Sequence, residues 1–128
     1  THYKKLEHMY KLQRARRLKQ GKDTDTDQQY NQRQFESALW CLLAAYEALG
    51  GAGYQAALPP EGFRVLNQLL GVNAECFASP LNCCFPSFCS ALPHVDVPFG
   101  SLGSFFDFHP LEGSFEANPP FVPEVMSE

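Results

Sequence analysis

The segment Asn118-Pro119-Pro120-Phe121 contains the residue types that could hold an adenine amine for methylation. This exocyclic nitrogen is a poor nucleophile because its lone pair is delocalised into the ring, so both of its N–H groups must be held by acceptors. The side-chain carbonyl of Asn118 is one acceptor, and the backbone carbonyl of Pro119 is a second. Consecutive prolines fix φ and carry no N–H, so the loop is stiff and presents carbonyl groups. Phe121 offers a face on which the base could stack, an interaction of about 1–3 kcal/mol.

A second segment, residues 75–82 (Glu-Cys-Phe-Ala-Ser-Pro-Leu-Asn), is a candidate for binding a cofactor. Small residues at a strand end let a cofactor approach the backbone, and the N–H groups at the start of a following helix would suit a carboxylate. Ser79-Pro80 is a helix-start pattern, because Ser can cap and Pro fits the first helical position. Neither segment alone is sufficient to predict a binding site. A Pro-rich turn explains 118–121 about as well, and an ordinary strand-to-helix turn explains 75–82 better.

The elements that would position these segments are three helices followed by an α/β region. Apolar spacing and stop signals predict helices over 3–20, 28–49 and 59–70. Strands are predicted over 72–78, 105–108 and 113–117, with a short helix from Pro80 and a Pro- and Gly-rich loop over 93–104. The predicted organisation is a helical region, 1–71, and the first part of an α/β sheet domain, 72–128. Both candidate segments then fall at carboxyl ends of strands, where open α/β sheets bind ligands.

The second and third helices are predicted to be core helices. In the second helix, apolar residues recur every three or four positions from Phe35 to Leu49, and Trp40 and Leu43 broaden the stripe. In the third, the same spacing predicts that four side chains face inward: Phe63, Leu66, Leu69 and Leu70.

Charge is unevenly distributed along the chain. Residues 1–22 contain eight Lys and Arg against one acid, whereas the rest contains two basic residues, Arg33 and Arg64, against thirteen acids. A basic helix on an acidic body is typical of proteins that bind polyanions such as RNA phosphates. A solvated helix face is the other interpretation, and charge alone favours it slightly.

The five cysteines (Cys41, Cys76, Cys83, Cys84 and Cys89), with no secretory leader before them, predict free thiols in a reducing intracellular compartment. A zinc site is the weaker interpretation because the chain has no Cys-x-x-Cys pair, and we predict no metal. A hydrolase is disfavoured because the histidines are not accompanied by a nucleophile elbow. No apolar run approaches the roughly 18 residues of a membrane helix, so we expect no membrane partner.

The two candidate segments, together with Phe99-Gly100-Ser101, resemble one family. Residues 75–82, 99–101 and 113–121 are similar to the phosphorylated-CTD-interacting factor family, the cap-specific adenosine N6-methyltransferases. The resemblance is collinear from about Trp40 to Phe121 and also takes in residues 55–59 and 70–72. It implies a Rossmann-like methyltransferase sheet behind a helical region, in a nuclear protein that acts on capped mRNA. Family members can carry a WW domain that binds the phosphorylated RNA polymerase II tail, and nothing in this sequence resembles one.

The resemblance also implies a cofactor and a set of site residues. The cofactor would be S-adenosyl-L-methionine, and the acceptor would be N6 of the 2′-O-methyladenosine next to the cap. Asn118, Pro119, Pro120 and Phe121 would be the catalytic, adenine-holding motif. The residues along the cofactor would be Phe77, Ala78, Ser79, Pro80 and Asn82.

Three expectations remain open at this point. The sheet is expected to be truncated after the Asn-Pro-Pro-Phe strand, so that the chain by itself binds cofactor weakly and is inactive. A catalytically inactive RNA-binding relative would use the basic helix and the same adenine-holding residues. A DNA adenine N6-methyltransferase would use the same amine chemistry.

Overall fold

Three helices form the first half of the chain. The computed structural model describes residues 2–24, 28–50, 58–120 and 123–127. The helices are α1 (His2–Lys19), α2 (Gln28–Ala48) and α3 (Pro60–Leu70), which confirms the predicted helices to within one residue at each end. Gly71 ends α3 in the left-handed region, with φ of 67°, and its N–H donates to the carbonyl of Asn67. Glycine is favoured there because it has no Cβ to clash.

The second half is built on short extended segments that run parallel to one another. β1 (Ala74–Glu75) and β2 (Phe115–Glu116) pair in parallel, with Glu75 opposite Glu116. Isolated parallel bridges join Glu75 to Phe88 and Phe88 to Ser101. Across the molecule the order is therefore Ser101, Phe88, β1 and β2. The chain is an α/β protein with a small parallel sheet, and the predicted strands over 72–78 and 113–117 are present in shortened form.

The predicted strand at 105–108 is wrong. Phe105–Asp107 is a 3-10 turn, and the hydroxyl oxygen of Ser104 accepts a hydrogen bond from the backbone N–H of Phe106. A Ser immediately before a turn satisfies an otherwise unpaired N–H in this way, and this local bond competes with strand formation. In the predicted loop over 93–104, residues Pro93–Asp96 form the short helix α4 and Val97–Phe99 a 3-10 turn.

The helix predicted from Pro80 is wrong as well. The chain makes a single turn, in which the N–H of Cys83 donates to the carbonyl of Ser79 at 2.9 Å. The turn does not continue as a helix, since Pro86 would lack the N–H that a next turn needs. The chain instead becomes extended and reaches the bridge at Phe88.

One hydrophobic cluster joins the two halves. It contains buried side chains from α1, from α2 and from the later segments: Leu6, Met9, Tyr10, Phe35, Leu42, Cys83, Phe88 and Phe99. The ring of Tyr10 lies 5.5 Å from that of Phe35 and 5.9 Å from that of Phe99, measured between centroids. The boundary at 71/72 stays a prediction, and the core is continuous across it.

Several apolar side chains that were predicted to face inward are exposed. Trp40 is 74% exposed, Leu69 76% and Leu70 62%. Phe63 is the buried residue of α3, and the described ranges place no other element over the outer faces of α2 and α3. Within those ranges no helix is long and apolar enough to cross a membrane. The last described element is α5 (Pro123–Met126).

Candidate functional site

Parallel pairing of β1 with β2 brings alternate side chains to one cleft. Glu75 of β1 and Phe77 two residues further on line one side of it, and Glu116 of β2 and Asn118 two residues further on line the other. Side chains two positions apart along an extended segment lie on the same face, which explains this set. The cleft is completed by Leu58, Phe63, Asn82 and Cys84. Ala74 and Cys76, on either side of Glu75 in the sequence, are buried.

Three residues predicted for the site meet in this cleft: Phe77, Asn82 and Asn118. The cleft lies beside the carboxyl ends of two neighbouring parallel strands. Pro119 and Pro120 follow Asn118 directly and are half-buried. Phe121 lies outside the described residues. The described parts of the two candidate segments, 75–82 and 118–120, therefore lie at one place in the fold.

The turn at 79–82 differs from its predicted form. The backbone N–H of Ser79 donates to the side-chain oxygen of Asn82 at 2.7 Å, and the Ser79 hydroxyl donates to the same oxygen at 3.0 Å. Pro80 is fully buried below this turn, whereas Ala78 and Ser79 are half-buried. The expected helix N-terminus with open N–H groups is thus absent here, because Asn82 caps the turn.

Glu75 was not predicted as a site residue, yet it lines the cleft. Its side chain is 5% exposed, and its Oε1 accepts hydrogen bonds from the backbone N–H groups of Cys84 at 2.7 Å and Phe85 at 2.8 Å. Burial raises the pKa of this carboxyl group, and the two N–H donors partly offset that rise. The bonds fix residues 84–85 against the sheet.

Glu116 is the second carboxyl group that sequence reasoning missed. It is half-buried and lines the cleft two positions before Asn118. Burial raises its pKa, and the neighbouring Glu75 raises it further through charge repulsion. The signal for both residues was present in the sequence: Glu75 precedes Phe77 by two positions and Glu116 precedes Asn118 by two, so a strand places each pair on one face.

The chemistry of the cleft suits a ligand that carries N–H groups or positive charge. Two carboxyl groups and the amide of Asn118 contribute acceptor oxygens, whereas the Asn82 oxygen already accepts from Ser79, and Phe77 supplies an aromatic face. The cleft volume, about 50 Å³, is small beside the roughly 300–1,000 Å³ of sites for drug-sized ligands. The described residues therefore offer acceptors that suit such a ligand, and they do not enclose a ligand of that size.

A buried polar pair lies behind the turn at 79–82. The hydroxyl of Tyr46, on α2, donates to Oδ2 of Asp96 at 2.6 Å. Burial raises the pKa of both groups, and each affects the other: the carboxylate raises the pKa of Tyr46, while the hydroxyl lowers that of Asp96. The nearby Ser79 hydroxyl lowers the pKa of Tyr46 in part. The pair thus links α2 to α4.

Four of the eight basic residues in 1–22 already have partners within the chain. The Lys5 ammonium donates to the carbonyl of Cys83 at 2.8 Å, and Lys11 pairs with Glu7 at 2.6 Å. Arg14 and Arg17 both approach Asp23, at 3.8 and 3.5 Å. These contacts favour the interpretation of this helix as a packed and solvated face over a surface dedicated to phosphates.

The cysteines are free thiols, and Cys76, Cys83 and Cys89 are buried. Burial raises the pKa of Cys83 and of Cys89 to about 11, so both are protonated near neutral pH and are weak nucleophiles. Among the described residues no group of three or more Cys, His, Asp and Glu side chains could hold a metal ion.

The fold and the cleft define an α/β protein with an acceptor-rich site at the ends of adjacent parallel strands. The chain belongs to the phosphorylated CTD interacting factor family: the family model described as "Phosphorylated CTD interacting factor 1 WW domain" matches residues 5–128. The chain is also 51% identical over 98 residues to the "mRNA (2'-O-methyladenosine-N(6)-)-methyltransferase" of Homo sapiens and, to the same extent, to that of Mus musculus. Each match covers 72% of this chain and 14% of the relative.

The WW domain named in that description does not match the geometry of the described ranges. There the strands and bridges are parallel, whereas a WW domain is a small antiparallel sheet. The chain's one tryptophan, Trp40, lies exposed on α2. Membership of the family is shown by the match, and these ranges contribute helices and parallel segments to it.

Proposed function

We propose that this chain is part of an S-adenosyl-L-methionine-dependent N6-methyltransferase that acts on the cap-adjacent 2′-O-methyladenosine of mRNA in the nucleus. The observation that carries the proposal is the convergence of Asn118, Phe77 and Asn82 in one cleft at the ends of β1 and β2. The names of the human and mouse relatives supply the reaction and the substrate.

The order of the parallel segments supports a Rossmann-like sheet for residues 72–128. Numbered along the chain, the segments at 74–75, 88, 101 and 115–116 are arranged 3-2-1-4. This is the first part of the strand order of doubly wound folds, and its switch point, where ligands bind, lies between the first and fourth strands. The cleft lies at that point.

In this proposal Asn118 and the prolines hold the acceptor base. The side-chain carbonyl of Asn118 and the backbone carbonyl of Pro119 accept hydrogen bonds from the two N–H groups of the adenine amine. Held in this way, the nitrogen lone pair is no longer conjugated with the ring and can point towards the methyl donor. Pro120 stiffens the loop, and Phe121 stacks on the base. Phe77 and Asn82 would lie along the methyl donor, with Ala78 and Ser79 beside them and the buried Pro80 supporting the turn from below. The donor supplies an electrophilic methyl group when bound.

Replacing Asn118 tests this assignment in the full-length protein. We expect Asn118→Ala to lower kcat for methyl transfer to capped, 2′-O-methylated RNA by about 100-fold or more, the usual cost of losing a positioning hydrogen bond to the reacting group. Cofactor binding, measured by calorimetry, should change little because Asn118 contacts the acceptor. The measurement is radiolabelled methyl transfer under saturating substrate.

Asn73→Ala is the matched control, since Asn73 is exposed and precedes β1 outside the cleft. Normal transfer by Asn118→Ala would contradict the proposal. RNA binding by the full-length protein with no cofactor binding would instead identify a catalytically inactive relative, and faster methylation of unpaired DNA than of capped RNA would identify a DNA adenine methyltransferase.

A further inference from the structure

A second concave surface adjoins the cleft. Six residues line this groove of about 320 Å³: Pro60, Phe63, Arg64, Asn67, Cys84 and Phe85. Phe63 and Cys84 line both the groove and the cleft. A ligand that extends out of the cleft past these two side chains therefore enters the groove.

Three contacts hold the walls of the groove in place. The backbone N–H of Phe85 is bound by the buried Glu75 carboxylate. The rings of Phe63 and Phe85 pack edge to face, with centroids 5.6 Å apart and planes at 83°. On α3, the side-chain amide of Asn67 donates to the carbonyl of Val72 at 2.8 Å. The groove is thus a preformed surface with an aromatic wall.

The groove contains a positive charge, which is rare in this part of the chain. Beyond residue 22 the chain contains two basic residues, Arg33 and Arg64, against thirteen acids. Arg64 is exposed and lies on the groove. A guanidinium group beside aromatic rings is the combination that binds a phosphodiester together with its base, through a charge-assisted hydrogen bond and through stacking.

We propose that this groove binds the nucleotide that follows the target adenosine in the RNA chain, since that neighbour is joined to the adenosine by a single phosphodiester. Arg64 contacts the intervening phosphate and Phe85 packs against the neighbouring base. The volume is within the range of small-molecule sites, and the shared wall at Phe63 and Cys84 gives the continuity that two linked nucleotides require. The assignment rests on the proposed function, because it takes the adenosine to lie in the cleft.

The test is Arg64→Ala in the full-length protein, assayed on capped, 2′-O-methylated RNA of about ten nucleotides. We expect KM to rise about tenfold with kcat little changed, because the contact lies outside the reacting group. The slope of log KM against log salt concentration should fall by about 0.7, the value for one phosphate contact on a single strand. Arg64→Lys should retain the salt dependence, since the charge remains.

Arg33→Ala is the matched control: Arg33 is the other isolated basic residue of the acidic body, exposed on α2 and away from the groove. Its KM and salt slope should equal those of the unmodified protein. Circular dichroism spectra that coincide among the variants would exclude misfolding as the cause.

A shorter substrate tests the choice of neighbour. A capped dinucleotide that ends at the adenosine lacks the following nucleotide, so Arg64→Ala should leave its KM unchanged while it raises the KM of the ten-nucleotide RNA. An equal rise in KM on both substrates would contradict the assignment. Unchanged KM and unchanged salt slope on both substrates would overturn the proposal.

Failure of the proposed function would give a different result. If the unmodified protein transfers no methyl group, RNA affinity is measured by fluorescence anisotropy with the same variants. A loss of affinity confined to Arg64→Ala would then support the groove as an RNA-binding site. Equal affinity among all variants would contradict it.

Discussion

Asp96 is a fully buried carboxyl group, at 0% exposure, in contact with the Tyr46 hydroxyl. Removing the charge from water is costly in a protein interior. Burial accordingly raises the pKa of Asp96, although the hydroxyl donor lowers it in part. A carboxyl group whose pKa is higher in the folded state than in the unfolded state favours folding below its unfolded pKa, near 4 for an aspartate. This contribution is lost as pH rises through the folded-state pKa.

Replacement of Asp96 by asparagine should therefore change how stability depends on pH. The Asp96→Asn variant keeps a carbonyl oxygen for the Tyr46 hydroxyl and has no charge to bury. We expect the melting temperature of the variant minus that of the unmodified chain to become more positive between pH 4 and pH 7. Circular dichroism melts at both pH values measure it, and a difference that is constant or falls with pH would contradict the assignment.

Among single residues, Phe77, Asn82 and Asn118 were predictable as site residues, and the fold brings them into one cleft. Glu75 and Glu116 have no role in the motifs, yet the two-residue period of a strand places them on the same face as Phe77 and Asn118. The Tyr46–Asp96 pair was not predictable, since those residues are 50 positions apart and no local pattern links them.

Among the elements, α1 is held to the second half of the chain by aromatic packing. The Tyr10 ring contacts Phe99, which has 0% exposure and lies in the 3-10 turn after α4. Truncating Phe99 would remove this contact and leave a cavity in the shared cluster.

Phe99→Ala should thus lower the free energy of unfolding by about 3–5 kcal/mol, as for other buried aromatic residues. Trp40→Ala is the comparison, because Trp40 is 74% exposed and its loss should stay near 0.5 kcal/mol. Urea unfolding followed by circular dichroism gives both values. Equal losses in the two variants would show that Phe99 does not anchor the core.

The helices were predictable from the sequence, whereas most of the strand content was not. A helix is formed by contacts three and four residues apart, so α1, α2 and α3 follow from local spacing. Strand length is set by partners that lie far along the chain, as Glu75 and Glu116 do. The misassigned strand at 105–108 shows the same limit, since local hydrogen bonds to Ser104 and Phe105 hold that segment in a turn.

For the whole molecule, the length of the chain limits how much of a binding site it can form. The chain spans 14% of the human and mouse relatives it matches, and its cleft has a volume of about 50 Å³. Apolar side chains such as Leu69 and Leu70 are exposed on α3. These features support the proposal that the described cleft is one side of a larger site.

The 128-residue chain assayed alone should consequently show no measurable methyl transfer to capped, 2′-O-methylated RNA. We also expect its affinity for S-adenosyl-L-methionine to be at least about 100-fold lower than that of the full-length protein, because most of the ligand surface would stay in water. Calorimetry and radiolabel transfer on both proteins check this. Turnover by the short chain at a rate near that of the full-length protein would refute it.

The pairing of β1 with β2 is two residues long, yet it decides which way Glu116 and Asn118 point. Deleting or inserting one residue between Gly113 and Asn118 would slip this register by one position and turn these side chains to the opposite face. Substitutions in the segment change one side chain each, whereas a change in its length would relocate several together. Natural variation here should consequently appear as exchanges of residues, with the length of the segment held constant.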